Sequence, residues 1–125
     1  MLVEGGVVVA ELPQADGLVK PRPVLLLREL PGFGDFLVCG ISTQIHQAEA
    51  GLDVIIGQDD QDFHATGLRA TSVVRLNFLA SIPVNRMTRH LGKISPHTLQ
   101  LLQSNLASYL VAQHKPEQDG AGQPM

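Results

Sequence analysis

No apolar run in this chain extends far before a glycine or a proline interrupts it. Twelve Gly and eight Pro are spread over 125 residues, and hydrophobic residues make up 44 %. A buried helix needs ten or more uninterrupted residues, whereas a strand needs about four to eight. The runs between the breakers are short and rich in Val, Ile and Leu. Val7 to Ala10 follows Gly5-Gly6; then come Val24 to Leu30, Phe36 to Ile41, Leu52 to Ile56, the stretch Leu68 to Leu76, and a short last run from Arg89 to Ile94. Asp16-Gly17 is a turn signal, and so is Pro31-Gly32-Phe33-Gly34-Asp35, which suits a hairpin. That Gly-x-Gly is not followed by a helical pattern, so it reads as a turn and not as a phosphate loop.

One segment behaves differently. Ser95 before Pro96 is a helix start, with Ser as N-cap and Pro in the first helical position. Leu99, Leu102, Leu106, Tyr109 and Leu110 then recur at helical spacing, which predicts one apolar face packed across the sheet. The expected fold is mainly β with a C-terminal α-helix: a small twisted antiparallel sheet or open barrel. One domain over residues 1–113 and a flexible tail over 114–125, rich in Gly, Gln and Pro, complete the reading.

Several classes are excluded or weakened. No apolar run approaches 18 residues, so no membrane span is expected. Met1-Leu2-Val3-Glu4 lacks the pattern of a signal peptide, and the single Cys39 cannot form an internal disulfide; together these favour the cytoplasm. Cys39 lies inside an apolar run and reads as a small buried hydrophobe. Asp59-Asp60-Gln61-Asp62 lacks the Gly and the final Glu of a calcium loop and reads as a solvated acidic turn. His90 and His97 are too far apart to share a helix face, so no metal or other cofactor is expected.

Charge is unevenly placed. The net charge is −3, which argues against a general nucleic-acid binder. Yet from Phe63 to Lys115 there are Arg69, Arg75, Arg86, Arg89, Lys93 and Lys115 and no acid at all, while from Met1 to Asp62 acids outnumber Lys and Arg ten to three. Such a segment can build a positive surface on an acidic protein.

Two stretches carry candidate chemistry. In Lys20-Pro21-Arg22-Pro23, the prolines pin the arginine in extended geometry at the mouth of an apolar strand. A fixed guanidinium fork suits a phosphate or carboxylate; the plainer alternative is a strand opener paired with a surface acid. Ser42-Thr43-Gln44 ends the middle strand, where hydroxyls can bind an anion or simply cap backbone groups.

The order of these signals resembles a known family. Gly5 opens a valine-rich strand, Lys-Pro-Arg-Pro follows after a loop, and Ile41-Ser42-Thr43-Gln44 ends a middle strand. Gly67-Leu68 precedes Ser72-Val73-Val74-Arg75, and Ile94-Ser95 starts a Leu-rich terminal helix. Over about residues 3 to 111 this is similar to the MazF/PemK-like toxins of bacterial type II toxin–antitoxin systems. The resemblance implies an SH3-like barrel, a homodimer, a cognate antitoxin that occupies the RNA groove, and a metal-independent endoribonuclease. Such an enzyme cuts single-stranded RNA at short sequences, leaving 2′,3′-cyclic phosphate and 5′-hydroxyl ends. By the MazF-type pattern catalysis falls on Arg22 and Ser42, with Thr43 beside it; by the Kid-type pattern Arg75 and Asn77 are implicated. Lys20, Gln44, Arg75 and Asn77 are the RNA-binding candidates. The chain departs from the pattern at Gly6, where an acid is usual, and at Asn77, which replaces the Kid-type Asp and cannot act as a carboxylate base. The competing expectation is a non-catalytic toxin on the same fold, like the gyrase poison CcdB, or a degenerate nuclease.

Overall fold

The computed structural model describes residues 2–112; the tail expected over 114–125 lies outside them. Six strands form one antiparallel sheet: β1 (Gly6–Pro13), β2 (Val19–Glu29), β3 (Phe36–Ser42), β4 (Val54–Ile56), β5 (Ser72–Ile82) and β6 (Met87–Lys93), in the spatial order β4-β5-β3-β2-β1-β6. Helix α1 (Pro96–Leu110) follows. The sheet curls into a half-barrel, and no helix among the described residues is long and apolar enough to cross a membrane.

The run Val24–Leu27 shows no polar alternation because both faces of β2 are covered. Leu25 and Leu27 join Val7, Cys39, Val74 and Leu102 of α1 in one core cluster. Val24 and Leu26 point the other way, into a second cluster with Val8, Ala10, Val38 and Ile82. Register shifts bend the strands: one falls between Leu26 and Arg28 in β2. A larger one lies between β3 and β5, where Cys39 pairs with Leu79 but Gly40 pairs with Arg75, so Leu76, Asn77 and Phe78 bulge out unpaired.

Three expectations need correction. The strand expected from Val24 begins at Val19, so Pro21, Arg22 and Pro23 lie inside β2. Prolines two apart place their missing donors on one side of the strand. That side is free here: β1 pairs with β2 from Val19, whereas β3 joins only at Val24. The fifth strand, read as Ser72-Val73-Val74-Arg75-Leu76 within the stretch Leu68–Leu76, does start at Ser72 but runs on to Ile82, and residues 68–71 form a loop. Tyr109 and Leu110, expected on the buried helix face, are each 69 % exposed; Leu99, Leu102 and Leu106 do pack on the core. The N-cap is as expected, with Ser95 Oγ accepting from the Thr98 amide at 3.1 Å.

Gly6 is buried in β1, and a Cβ there would meet Val3 O at 3.0 Å and Leu26 Cδ1 at 3.3 Å. No side chain, acidic or otherwise, is accommodated at that position without a shift. The acidic turn is closed by Asp60, whose Oδ2 accepts from the Gly57 amide at 2.8 Å.

A backbone crossing joins the β6 edge to the loop after β4. The one-turn helix His64–Thr66 ends at Gly67, φ +72°, and passes directly against Leu91 and Gly92 of β6. This crossing fixes the strip Gly67–Ala70 that leads into β5.

Candidate functional site

A groove of about 690 Å³ opens across the sheet. Arg22 reaches it from β2. Its Nη2 donates to Gln14 Oε1 at 3.2 Å, so its partner is a neutral amide and not an acid. The middle strand β3 ends in the groove with Ser42, Thr43 and Gln44. Ser42 Oγ accepts from the Gln44 amide at 3.0 Å, which orients the oxygen and leaves its hydrogen free to donate. Thr43 is exposed beside it and Ser42 half-buried.

Arg75 enters from β5, directly before the bulge and opposite Gly40. Its Nη1 donates to Gln47 Oε1 at 3.1 Å, again a neutral partner. Its Nε is buried with no partner among the described residues. Two further arginines complete the lining: Arg69 from the Gly67–Ala70 strip and Arg89 from β6. No Asp or Glu among the described residues lines the groove. The ion pair recorded among the described residues, Arg28 with Glu4 at 3.7 Å, is elsewhere. Four guanidinium groups in one concavity, with no acid among the described residues lining it, attract and orient a polyanion.

Five of the expected residues thus meet: Arg22, Ser42, Thr43, Gln44 and Arg75. Two do not. Lys20 is exposed and pairs with Leu12 further along the hairpin, and Asn77 sits in the bulge but outside the groove lining. A single-residue step explains Asn77: within a bulged segment, neighbouring side chains leave in different directions. Arg69 and Arg89 had a signal only as members of the acid-free segment. Gln14, Gln47 and Phe78 had none.

A family model described as PemK-like, MazF-like toxin of type II toxin-antitoxin system matches residues 4–110. The chain belongs to that family. Solved structures agree on the fold. The Mycobacterium tuberculosis toxin MazF-mt6 matches with a TM-score of 0.64 at 24 % identity, over 87 % of this chain and 99 % of that one. An endoribonuclease in complex with its cognate antitoxin, from Mycobacterial species, matches with a TM-score of 0.66 at 18 % identity, over 92 % and 100 % of the two chains. A second endoribonuclease from Mycobacterial species gives 0.63 at 18 %, over 91 % and 95 %. No curated protein sequence matches. In this MazF-like toxin the groove is built from five of the six strands and the loops between them, so no continuous stretch of the chain contains it.

Proposed function

We propose that this toxin is an endoribonuclease that cuts single-stranded RNA without a metal ion, acting on messenger RNA in the cytoplasm. The observation that carries the reading is the meeting of four arginines with the Ser42 and Thr43 hydroxyls in one groove that no acid among the described residues lines. RNA cleavage by its own 2′-hydroxyl needs the phosphate held in line and its growing charge stabilised. The 2′-oxygen attacks phosphorus and the bond to the 5′-oxygen breaks. A proton leaves the 2′-hydroxyl and one is taken up by the 5′-oxygen, giving 2′,3′-cyclic phosphate and 5′-hydroxyl ends. Arg22, held extended within β2 and oriented by Gln14, presents two donors to the phosphate oxygens. Ser42 adds a third donor, its own oxygen being fixed by the Gln44 amide. Thr43 stands next to it, and Gln44, Arg69, Arg75 and Arg89 hold flanking nucleotides. Lys20 and Asn77 lie outside the groove and are assigned no part.

The partners follow from the same reading. A cognate antitoxin that blocks the groove would inhibit the toxin, in keeping with the antitoxin complex of a relative sharing this fold. A homodimer would extend the RNA surface of so small a chain.

The test is purified protein with single-stranded RNA in EDTA, followed by mapping of the product ends. Cyclic phosphate and 5′-hydroxyl termini at recurring short sequences are expected. Cleavage that starts only on adding a divalent ion overturns the mechanism. The packed backbone at Gly6, which denies the family's usual acid, favours one alternative: a toxin that binds and does not cut. Stoichiometric RNA binding or gyrase inhibition with intact RNA after long incubation would establish it.

A further inference from the structure

Phe78 is the one aromatic side chain among the described residues lining the groove, whose polar lining is arginine, hydroxyl and amide groups set among apolar residues such as Val9, Leu12, Leu68 and Leu91. It is 39 % exposed and shares the lining with Arg22, Ser42 and Arg75. Two features hold it there. The bulge between β3 and β5 releases Leu76, Asn77 and Phe78 from the ladder, so Phe78 does not follow the strand's alternation. Gly40, on the facing strand, has no side chain. A Cβ at that position would lie 3.3 Å from both Cγ and Cδ1 of the ring. The ring therefore rests against bare backbone and is supported from behind, while over a third of its surface faces solvent. A supported aromatic beside guanidinium groups is the arrangement that receives an unpaired base: the ring stacks, and the cations hold the phosphates on either side.

We propose that Phe78 is the platform on which one nucleobase of the substrate stacks, next to the phosphate held by Arg22. This rests on the reading of the groove as an RNA site. Stacking is tolerant of base identity, because every base has a π-face, and is greatest for purines. The platform is also preorganised, since Gly40 leaves the ring its place before substrate arrives.

The experiment compares two fluorescently labelled probes of equal length and charge: 2′-deoxyoligoadenylate, and the same deoxyribose-phosphate chain with every base removed. Neither carries the 2′-hydroxyl needed for cleavage. Wild-type protein should bind the oligoadenylate at least fivefold more tightly than the abasic chain, the lower end of what one stacked base contributes. Phe78→Ala should lose that preference and bind both probes as weakly as wild type binds the abasic one. Its salt dependence should be unchanged, because the phosphate contacts remain. Phe78→Trp should keep the preference, and it guards against a variant that simply fails to fold. Phe78→Ala retaining the full preference for bases overturns the platform while leaving the RNA site standing. Wild type binding neither probe overturns both.

Discussion

Of the glycines among the described residues, Gly67 and Gly92 at the crossing leave the least room for a Cβ, and this can be tested one atom at a time. A Cβ on Gly92 would lie 2.2 Å from the carbonyl oxygen of Ala65 and 2.6 Å from Thr66 C. Both are backbone atoms, so no side chain can swing aside. Relief requires the two segments to separate by on the order of 1 Å, and overpacking of that kind costs about 3 kcal/mol. Gly92 has no left-handed φ, so its cost is purely one of space. Gly67 carries both terms: φ is +72°, and a Cβ would sit 2.2 Å from Leu91 O. Gly67→Ala should therefore cost about 1 kcal/mol more than Gly92→Ala. Gly51 supplies the control, with φ +80° and nothing within 4 Å of a Cβ, so Gly51→Ala should cost about 1 kcal/mol alone. At about 4 °C per kcal/mol for a domain this size, Gly92→Ala should melt roughly 12 °C below wild type and Gly51→Ala roughly 4 °C below. Calorimetry or circular dichroism measures both. Because the crossing fixes the strip bearing Arg69, Gly92→Ala should also weaken RNA binding at temperatures where it is folded. A Gly92→Ala protein that melts no lower than Gly51→Ala would refute the close-approach argument.

Other expectations are as direct. Arg22→Ala should lower cleavage on the order of 10²- to 10³-fold, as for loss of a transition-state donor, and Arg22→Lys should recover little; both should melt like wild type, because Arg22 is exposed and its side chain, among the described residues, bonds Gln14 alone. Burial first, and then the Asp53 charge, push the Cys39 thiol up from 9.0 to about 12. The unfolded chain loses that proton first, so stability should be intact below about pH 9 and fall between 9 and 12; Cys39→Ala should flatten this limb, as denaturant titrations across alkaline pH would show. With four arginines in the groove, single-stranded RNA affinity should fall with salt at a log–log slope of about −2 to −4, and a slope near zero would exclude RNA as the ligand. Sedimentation at micromolar concentration should show twice 13.5 kDa; a monomer across that range removes the proposed dimer.

Local chemistry made much of the fold legible. The Asp16-Gly17 turn, the Pro31–Asp35 hairpin and the Ser95-Pro96 helix start each depend on residues adjacent in the chain, and each stands where the sequence puts it. Arg22 and the Ser42-Thr43-Gln44 terminus were recognisable for the same reason, since proline geometry and a strand end are local properties. The prolines misled about where β2 begins, because the absence of β3 alongside residues 19–23 is a fact of pairing that no neighbouring residue encodes. Tyr109 and Leu110 carry the helical period correctly, but among the described residues Leu106 is the last of α1 to pack on the core. The groove itself was decided only by tertiary structure. Arg69, Arg75 and Arg89 come from a loop and from two strands with β3, β2 and β1 between them in the sheet, and curling of that sheet turns an uneven charge distribution into one concave surface that no acid among the described residues lines. Phe78 depends on a three-residue bulge opposite a glycine thirty-eight positions earlier in the chain. Composition and spacing reveal what each segment prefers by itself; which segments share a wall depends on contacts distant in sequence, and those exist only once the sheet has closed.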